Sequence, residues 1–580
     1  MAEGRAAAAP EDGASQSDIV GRHRRLVRRT ALISTLTLLS RLLGYVREFL
    51  SALLFGHASP IYDAFVTAWR VPNLFRRLLG EGAVSTALQA ALTETDGDLG
   101  NEAGRVLFWK TLRLALWILL GICALVMGTV GVIGDTMPIT GWHWLGAEPQ
   151  AVRELTLRVA PYVIFICLAG LCAGALAVRG RFAAASASGG VMNLVAILTL
   201  VLIGLRYGWT GPSPEDGGIG RARHMDMARI FSWGLMLSGV AQLLILVPDL
   251  ARSGLLGGAR RPRERRPIPR TSAAAVLGSS APLALGAAVY QINVMMDGLM
   301  AQGMLASGGP TTYYFANRIQ QLPLGLVATA ATSAVFPALK ALGHRRELRE
   351  LRGLHNRTHL AIAFVALPAT AGMIALAEPI VATLLEHGEF GPEGVRRTAS
   401  ALRVLALALL PAGAAGLVTR TYYALGDFKA PVRIAAWMLG LNLLLNVAFL
   451  EGLGMDVAGL SLSTAIVSWT NLVLLIPGLL RQMPVGVRAP GEPGTASALA
   501  RMAVASGLCA LAAWSTRAAL GGEARAFLPL VLAILAGVGT YVAVCQALGV
   551  AEWAHVRARI AGRLRKGRQS ARNSQKSGKE

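Results

Sequence analysis

Residues 30–55 read TALISTLTLLSRLLGYVREFLSALLF, a stretch long and apolar enough to cross a bilayer as one helix. The stretch also carries three ionisable residues, Arg41, Arg47 and Glu48. An arginine at mid-bilayer costs roughly 2.5–3.5 kcal/mol even on the lenient insertion scale, so it is tolerated only near water, a counter-charge or a ligand. The helical repeat places four small or polar residues on one face: Ser40, Gly44, Arg47 and Ser51. We therefore expect a membrane-spanning helix with one polar face.

Apolar runs of this length recur almost from end to end of the 580-residue chain. Apolar residues make up 54% of the sequence and charged residues only 15%, which excludes an ordinary soluble protein. The candidate spanning helices are 30–55, 62–92, 106–133, 153–178, 186–205, 227–248, 272–303, 311–339, 358–386, 394–424, 434–450, 457–480, 498–515 and 526–550. The sequence thus predicts an all-α integral membrane protein with about fourteen transmembrane helices.

The distribution of lysine and arginine predicts the orientation. If the chain alternates sides from a cytoplasmic N-terminus, the segments left inside hold 35 of these residues and the segments left outside hold five. Such a bias sets orientation in membrane proteins, so we expect both termini in the cytoplasm. The same bias accounts for the net charge of +23 without a nucleic-acid partner.

The segment 249–271 contains seven arginines and three prolines and separates the first six predicted helices from the next six. We interpret it as a basic cytoplasmic linker between two halves of the chain. The complete predicted organisation is a disordered basic leader (1–29), an N-lobe of helices one to six (30–248), the linker (249–271), a C-lobe of helices seven to twelve (272–480), helices thirteen and fourteen (481–550) and a basic cytoplasmic tail (551–580).

The second and eighth predicted helices extend the pattern of buried charge. In the second helix, one face carries Asp63, Arg70, Asn73, Arg77, Gly80 and Glu81, with Arg76 at its edge. Pro72 is expected to kink this helix beside that face, and the eighth helix pairs Arg318 with Pro323 in a similar way. Arginines outnumber acids in the first two helices, which favours a wet cationic cavity that selects anions. Arginine suits diphosphate because its planar fork makes paired, charge-assisted hydrogen bonds. The alternative is that each arginine pairs with an acid and only holds helices together.

Several ordered motifs resemble the MurJ (MviN) family of lipid II flippases. In the first two helices they are SRLLGYVRE at 40–48, DAF at 63–65, PNLFRR at 72–77 and EGA at 81–83. Further along the chain they are residues 313–318 running into LPLG at 322–325, HGEF at 387–390, and Gly426-Asp427 followed by Lys429 and Pro431. The similarity extends over roughly residues 30–480.

The resemblance implies the fold of the multidrug/oligosaccharidyl-lipid/polysaccharide exporter superfamily. Such proteins have two six-helix lobes around a central cationic cavity, and in this family two C-terminal helices line a groove for the lipid tail. The substrate-binding residues that it implies here are Arg41, Arg47, Glu48, Asp63, Arg76 and Arg318. We add Asn73, which shares the polar face of the second helix. The chain departs from some members at Asn317 and Gln321, where they have acids, and this leaves Arg318 less neutralised.

A sodium site of some relatives would map to Asp297, Asn442 and Asn446. We expect no organic cofactor, because the sequence carries no phosphate-binding loop of the P-loop pattern. A coupling ion or the membrane potential would then supply the energy. The chain is not expected to be an enzyme, since it has no HExxH motif, nucleophile elbow or acidic metal cluster.

The function expected from the resemblance is the flipping of lipid II by alternating access, for cell-wall synthesis. The partners would be lipid II, an undecaprenyl-diphosphate-linked muropeptide, and membrane lipids, in the bacterial inner membrane. Two alternatives stay open: a flippase for another lipid-linked oligosaccharide, and a cation-coupled multidrug exporter of the same superfamily.

Overall fold

The computed structural model is a bundle of helices. It describes residues 16–80, 83–132, 145–146, 148–209, 217–257, 272–279, 281–325, 330–483 and 494–558. No residue in these ranges lies in a β-strand. The predicted all-α class is confirmed.

The first half of the chain forms nine helices and one π-helical segment. In order they are α1 (Gln16–Phe55), α2 (Pro60–Phe75), the π-helical segment Arg76–Gly80, α3 (Ala83–Leu99), α4 (Asn101–Val132), α5 (Pro149–Val159), α6 (Tyr162–Val178), α7 (Ala183–Tyr207), α8 (Gly217–Leu244) and α9 (Val247–Arg252). The π-helical segment begins four residues after Pro72, whose ring removes a helix hydrogen bond. Segments of this kind occur frequently at functional sites.

The second half continues with twelve helices. They are α10 (Ala273–Ser279), α11 (Ala281–Met304), α12 (Gly309–Leu324), α13 (Ala330–His344), α14 (Leu348–Ala375), α15 (Ala377–Leu385), α16 (Pro392–Ala406), α17 (Leu409–Ala424), α18 (Lys429–Val447), a π-helical segment (Ala448–Gly452), α19 (Val457–Gln482), α20 (Thr495–Leu520) and α21 (Phe527–Ala547).

Within the described ranges, nine helices or continuous helix pairs are long and apolar enough to span a membrane. The pair α16 and α17, bent by 42°, makes a tenth. The first, second, seventh and eighth predicted spans are not among these ten. The second, seventh and eighth are each divided between two or more helical segments in the structure. The count of fourteen stays a prediction.

Three predicted segments differ from the structure or lie partly outside it. Residues 16–29, expected to be disordered, continue α1, because this arginine- and leucine-containing stretch has no proline to stop the helix. Residues 1–15 of that leader lie outside the described ranges, as do 258–271 of the linker and 559–580 of the tail. Residues 551–558 of the tail are helical.

Helices of each half pack mainly on one another: α1 on α7, α7 on α8, α11 on α18, α16 on α19, and α14 on α17. Contacts between the halves are made by α2 against α11 and α12, and by α1 against α15. The helix α20 packs on α14 and pairs with α21. The charged helices α1, α2 and α12 therefore meet where the two halves come together.

Candidate functional site

A cavity of about 560 Å³ lies between the two halves. Six arginines line it: Arg41, Arg47, Arg70, Arg76, Arg77 and Arg318. The other polar side chains around it are hydroxyls and amides, and no aspartate or glutamate is among the described lining residues. Guanidinium groups from both halves thus face one space, as the sequence predicted.

Arg318 of the second half lies against α1 at Gly44. A Cβ atom added at Gly44 would lie 3.4 Å from Arg318 Nη2 and 3.5 Å from Asn193 Nδ2, which are ordinary van der Waals distances. The side chain of Arg318, which comes from the other half of the chain, therefore reaches the surface of α1 at this position. The polar stripe predicted for α1 is the surface against which Arg318 lies.

One carboxylate is shared by two arginines. Glu48 forms a short ion pair with Arg47, and its Oε1 lies 3.4 Å from Arg318 Nε. Tyr314 donates a hydrogen bond of 2.9 Å to the same oxygen, and Arg47 Nη1 donates one of 3.2 Å to Asn193 Oδ1. The Arg47 and Glu48 side chains are 7% and 6% exposed, but that of Arg318 is 38% exposed. Arg47 and Glu48 thus support Arg318, whose guanidinium remains open to the cavity.

Replacing Glu48 with glutamine should destabilise the protein, because Arg47 would keep its charge in a buried position without a counter-charge. Breaking a buried ion pair in this way costs about 3–5 kcal/mol. We expect a clearly lower midpoint of unfolding for purified Glu48→Gln in detergent. The matched control is Tyr314→Phe, which removes one neutral donor to the same oxygen and should cost only about 1 kcal/mol. Equal midpoints for the two variants would contradict the shared-carboxylate assignment.

Amide side chains hold the arginines of the π-helical segment. Arg76 donates to Asn73 Oδ1 through Nη2 at 2.9 Å and Nε at 3.3 Å. Arg77 Nη2 donates to Gln321 Oε1 at 3.3 Å, across the two halves. Gln321 in turn donates to Asn317 Oδ1 at 2.5 Å. The amide of Gln321, itself bonded to Asn317, therefore orients Arg77.

Two further arginines reach the cavity. Arg41, a predicted site residue, lines the cavity beside Gly325 of the other half. Arg70 was absent from the predicted site, although it shares the polar face of α2 with Asn73 and Arg77. That shared face was the available signal for it.

Asp63 was predicted in the cavity but does not line it. It is 3% exposed and accepts hydrogen bonds from the backbone N–H of Gly308 at 2.6 Å, and from the N–H and hydroxyl of Thr311 at 3.0 and 2.6 Å. It therefore caps the N-terminus of α12, where a carboxylate is favoured by free N–H groups and the helix dipole. Gly308, the N-cap residue, has no side chain to do this itself.

Further contacts near Asp63 lie within the second half, and one more joins the two halves. Arg397 forms a two-pronged ion pair with Asp456, with N–O distances of 2.7 and 2.8 Å, and donates to the carbonyl of Ser307 at 3.0 Å. The backbone N–H of Glu389 donates to Leu53 O at 3.5 Å. We call the contacts of Asp63, Gly308 and Thr311, with those of Leu53 and Glu389, the outer closure. They lie in or beside segments that charge distribution predicts to be outside.

The three residues of the expected sodium site meet in one place. Asn442 and Asn446 on α18 donate to Asp297 Oδ1 on α11, at 2.5 and 2.9 Å. Ser463 Oγ donates to the amide oxygens of both asparagines, and Tyr313 donates to Asp297 at 3.3 Å. Among the described residues no group of three or more His, Cys, Asp or Glu suits a metal ion. Both amides here turn their N–H groups to the carboxylate. With the amides rotated, one carboxylate and the neutral amide oxygens would suit a hard, singly charged cation, which prefers oxygen ligands.

Comparisons with known proteins agree with this architecture. The family model described as lipid II flippase MurJ matches residues 51–532. A probable lipid II flippase MurJ of Vibrio cholerae is 29% identical over 469 residues, covering 79% of this chain and 83% of the relative. The lipid II flippase MurJ of Burkholderia cenocepacia is 28% identical over 483 residues, covering 81% and 86%.

Solved structures share the fold. A lipid II flippase MurJ in an inward closed conformation aligns with a TM-score of 0.68 and 20% identity, covering 89% of this chain and 98% of that one. An inward-facing MATE multidrug transporter of the MOP superfamily aligns with a TM-score of 0.57 and 15% identity, covering 78% and 96%. These likenesses show that the fold is shared. Since the family model covers most of the chain, this protein belongs to the MurJ family of lipid II flippases.

Proposed function

We propose that this protein flips lipid II from the cytoplasmic to the periplasmic leaflet of the bacterial inner membrane. The observation that carries the proposal is the cavity between the halves, lined by six arginines and, among its described residues, by no acid. A cation exporter needs carboxylates at such a place, whereas a diphosphate needs guanidinium groups. The curated relatives in this family are named for lipid II flipping.

In this proposal the diphosphate binds between α1, the π-helical segment and α12. Arg41, Arg76 and Arg318 are its ligands, and they replace the water that surrounds the headgroup. Arg47 and Glu48, buried behind them, fix Arg318, and Asn73 fixes Arg76. Ligands that come from both halves bind the headgroup best when the halves are close together, so binding shifts the population towards the occluded state.

The outer closure supports an inward-facing assignment for this conformation. It joins the halves on the side predicted to be periplasmic, so the cavity would be loaded from the cytoplasmic leaflet. Release requires the Asp63 contacts to break and the cytoplasmic ends to approach. Asp297, Asn442 and Asn446 would hold a sodium ion, which would supply one positive charge to a buried carboxylate.

The lipid tail needs an apolar path beside the diphosphate. A pocket of about 240 Å³ between α1, α12 and α15 meets this need, because Glu48 and Arg318 form its polar edge. The rest of its lining is mostly apolar, including Val46, Phe49 and Ile319. We place the first isoprene units there, with the remainder in lipid along α20 and α21.

Complementation tests the function. Expression of this chain in a strain depleted of its own lipid II flippase should restore growth, and mass spectrometry of the purified protein should detect lipid II. Restored export of O-antigen or capsule without rescue of growth would favour another lipid-linked oligosaccharide. Dye efflux or drug resistance without bound lipid would favour the multidrug exporter.

A further inference from the structure

A buried carboxylate in the second half of the chain has its nearby positive charge in the first half. Asp297 is 2% exposed, and its hydrogen-bond partners are the neutral groups of Asn442, Asn446 and Tyr313. These residues belong to α11, α12 and α18. A carboxylate buried among neutral groups alone is costly, so a nearby positive charge stabilises it.

Arg70 of α2 supplies that charge. Its Cζ lies 6.0 Å from the ring centroid of Tyr313, and the hydroxyl of the same tyrosine donates to Asp297. A ring in this position favours the guanidinium above its face. Tyr313 thus lies between a cation of one half and a carboxylate of the other.

The side chain of Arg70 packs closely against α11 but forms few hydrogen bonds there. A Cβ atom at Gly298, next to Asp297, would come within 2.3 Å of the Arg70 guanidinium, so Arg70 would have to move if a larger residue replaced this glycine. The hydrogen bond that Arg70 forms there runs from its Nη1 to Val294 O and is 3.4 Å long. The buried Nε and Nη2 atoms have no hydrogen-bond partner among the described residues. An arginine held this loosely can leave when α2 and α12 separate.

We propose that Arg70 and a free sodium ion are mutually exclusive counter-charges for Asp297. The amide nitrogens of Asn442 and Asn446 face the carboxylate, while their oxygens accept from Ser463. Rotation of either amide would turn its oxygen towards an ion bound at Asp297. While Arg70 lies beside Asp297, its guanidinium repels a sodium ion in a medium of low dielectric constant. Once Arg70 moves away, the sodium ion becomes the counter-charge of Asp297.

Sodium binding to the purified full-length protein tests this exclusion. Thermal unfolding is followed while sodium chloride replaces choline chloride at constant ionic strength and pH. We expect Arg70→Gln to reach its half-maximal stabilisation at about tenfold lower sodium than the parent chain, because a nearby like charge is gone. Asp297→Asn should abolish the sodium response in both backgrounds.

The matched control is Arg77→Gln, which removes an arginine from the same cavity and the same face of α2 but contacts Gln321 instead. The sodium concentration that gives half-maximal stabilisation should be the same for Arg77→Gln as for the parent chain. The proposal is overturned if Arg70→Gln and the parent chain respond alike, if Arg77→Gln shifts as far as Arg70→Gln, or if Asp297→Asn keeps the response.

A second measurement keeps the native Arg70, so the result does not depend on whether variants of Arg70 fold. Thr67, 4% exposed, donates to Gln302 Oε1 across the halves at 2.8 Å. Sodium should raise the rate at which maleimide labels Thr67→Cys severalfold, since the ion favours the state that Arg70 has left. The five native cysteines are buried, and the parent chain corrects for their labelling. A rate that does not change with sodium, or changes equally with Asp297→Asn, contradicts the proposal.

The exclusion rests on the proposed function, because it assumes that the two halves of the chain alternate between conformations. Neither measurement requires lipid II. Failure of complementation with an intact Arg70-dependent sodium response would refute lipid II as substrate and leave the exclusion standing. Successful complementation without that response would refute the exclusion alone.

Discussion

Arg318→Ala is expected to abolish complementation of a flippase-depleted strain while the protein still inserts and accumulates normally. Arg318 brings the guanidinium of the second half against α1, and more than a third of its side chain faces open space. Its removal loses a charge-assisted, two-pronged contact worth about 3 kcal/mol, or roughly a hundredfold in affinity for a diphosphate. Stability should change little, because Glu48 keeps Arg47 as its partner.

Arg318→Lys separates charge from geometry. It keeps the positive charge but loses the planar fork, so we expect partial growth. The control is Arg396→Ala, which removes an exposed arginine whose ion pair is with Glu393 on its own helix. Full complementation by Arg318→Ala at normal abundance would show that Arg318 is not a ligand of the cargo.

Asp63→Ala is expected to lose complementation for a different reason. The three hydrogen bonds from Gly308 and Thr311 all end on this carboxylate, and the methyl group of an alanine could accept none of them. The loss of a buried helix cap of this kind is worth about 3 kcal/mol, which shifts the ratio of closed to open outer sides roughly a hundredfold. The protein would then rest with its periplasmic side open and would load poorly from the cytoplasm.

Maleimide labelling of Thr67→Cys measures this shift directly. The labelling rate should rise strongly with Asp63→Ala and should not change with the control Asp98→Ala, since Asp98 is exposed on α3. Lipid II should still be detected on purified Asp63→Ala, in a reduced amount, because Asp63 does not touch the cavity but the opened protein loads poorly. Loss of bound lipid together with an unchanged labelling rate would show that Asp63 binds lipid II directly.

The sequence predicted the charged helices better than it predicted their partners. The spacing of Ser40 and Arg47, and that of Arg70, Asn73 and Arg77, identified helix faces that line the cavity. Periodicity reports which side of a helix is polar. Periodicity does not report what lies opposite, and Asp63 shows the consequence. Its true partners are backbone groups about 245 residues further along the chain, at a helix start that lacks a cap of its own.

Arg70 illustrates the same limit from the other direction. Its position on the polar face of the second predicted helix followed from the sequence. The side chain, however, packs against Gly298 and Tyr313, which belong to two helices of the other half. Neither residue is unusual in a membrane helix, so nothing local marked them. In the same way, the apolar pattern did not show where the predicted second, seventh and eighth helices are interrupted.

Two of the three donors to Asp63 are main-chain N–H groups, and this has a consequence for inhibition. The side chain at position 311 can change while its N–H donor stays in place. Position 308 is confined to glycine, because its φ is +85° and an added Cβ atom would lie 2.3 Å from the carbonyl oxygen of His57. A small acidic compound that occupied the start of α12 in the opened protein would bind atoms that most substitutions leave unchanged. Resistance would then have to arise through a reshaped backbone, which is a much rarer event than a single side-chain replacement.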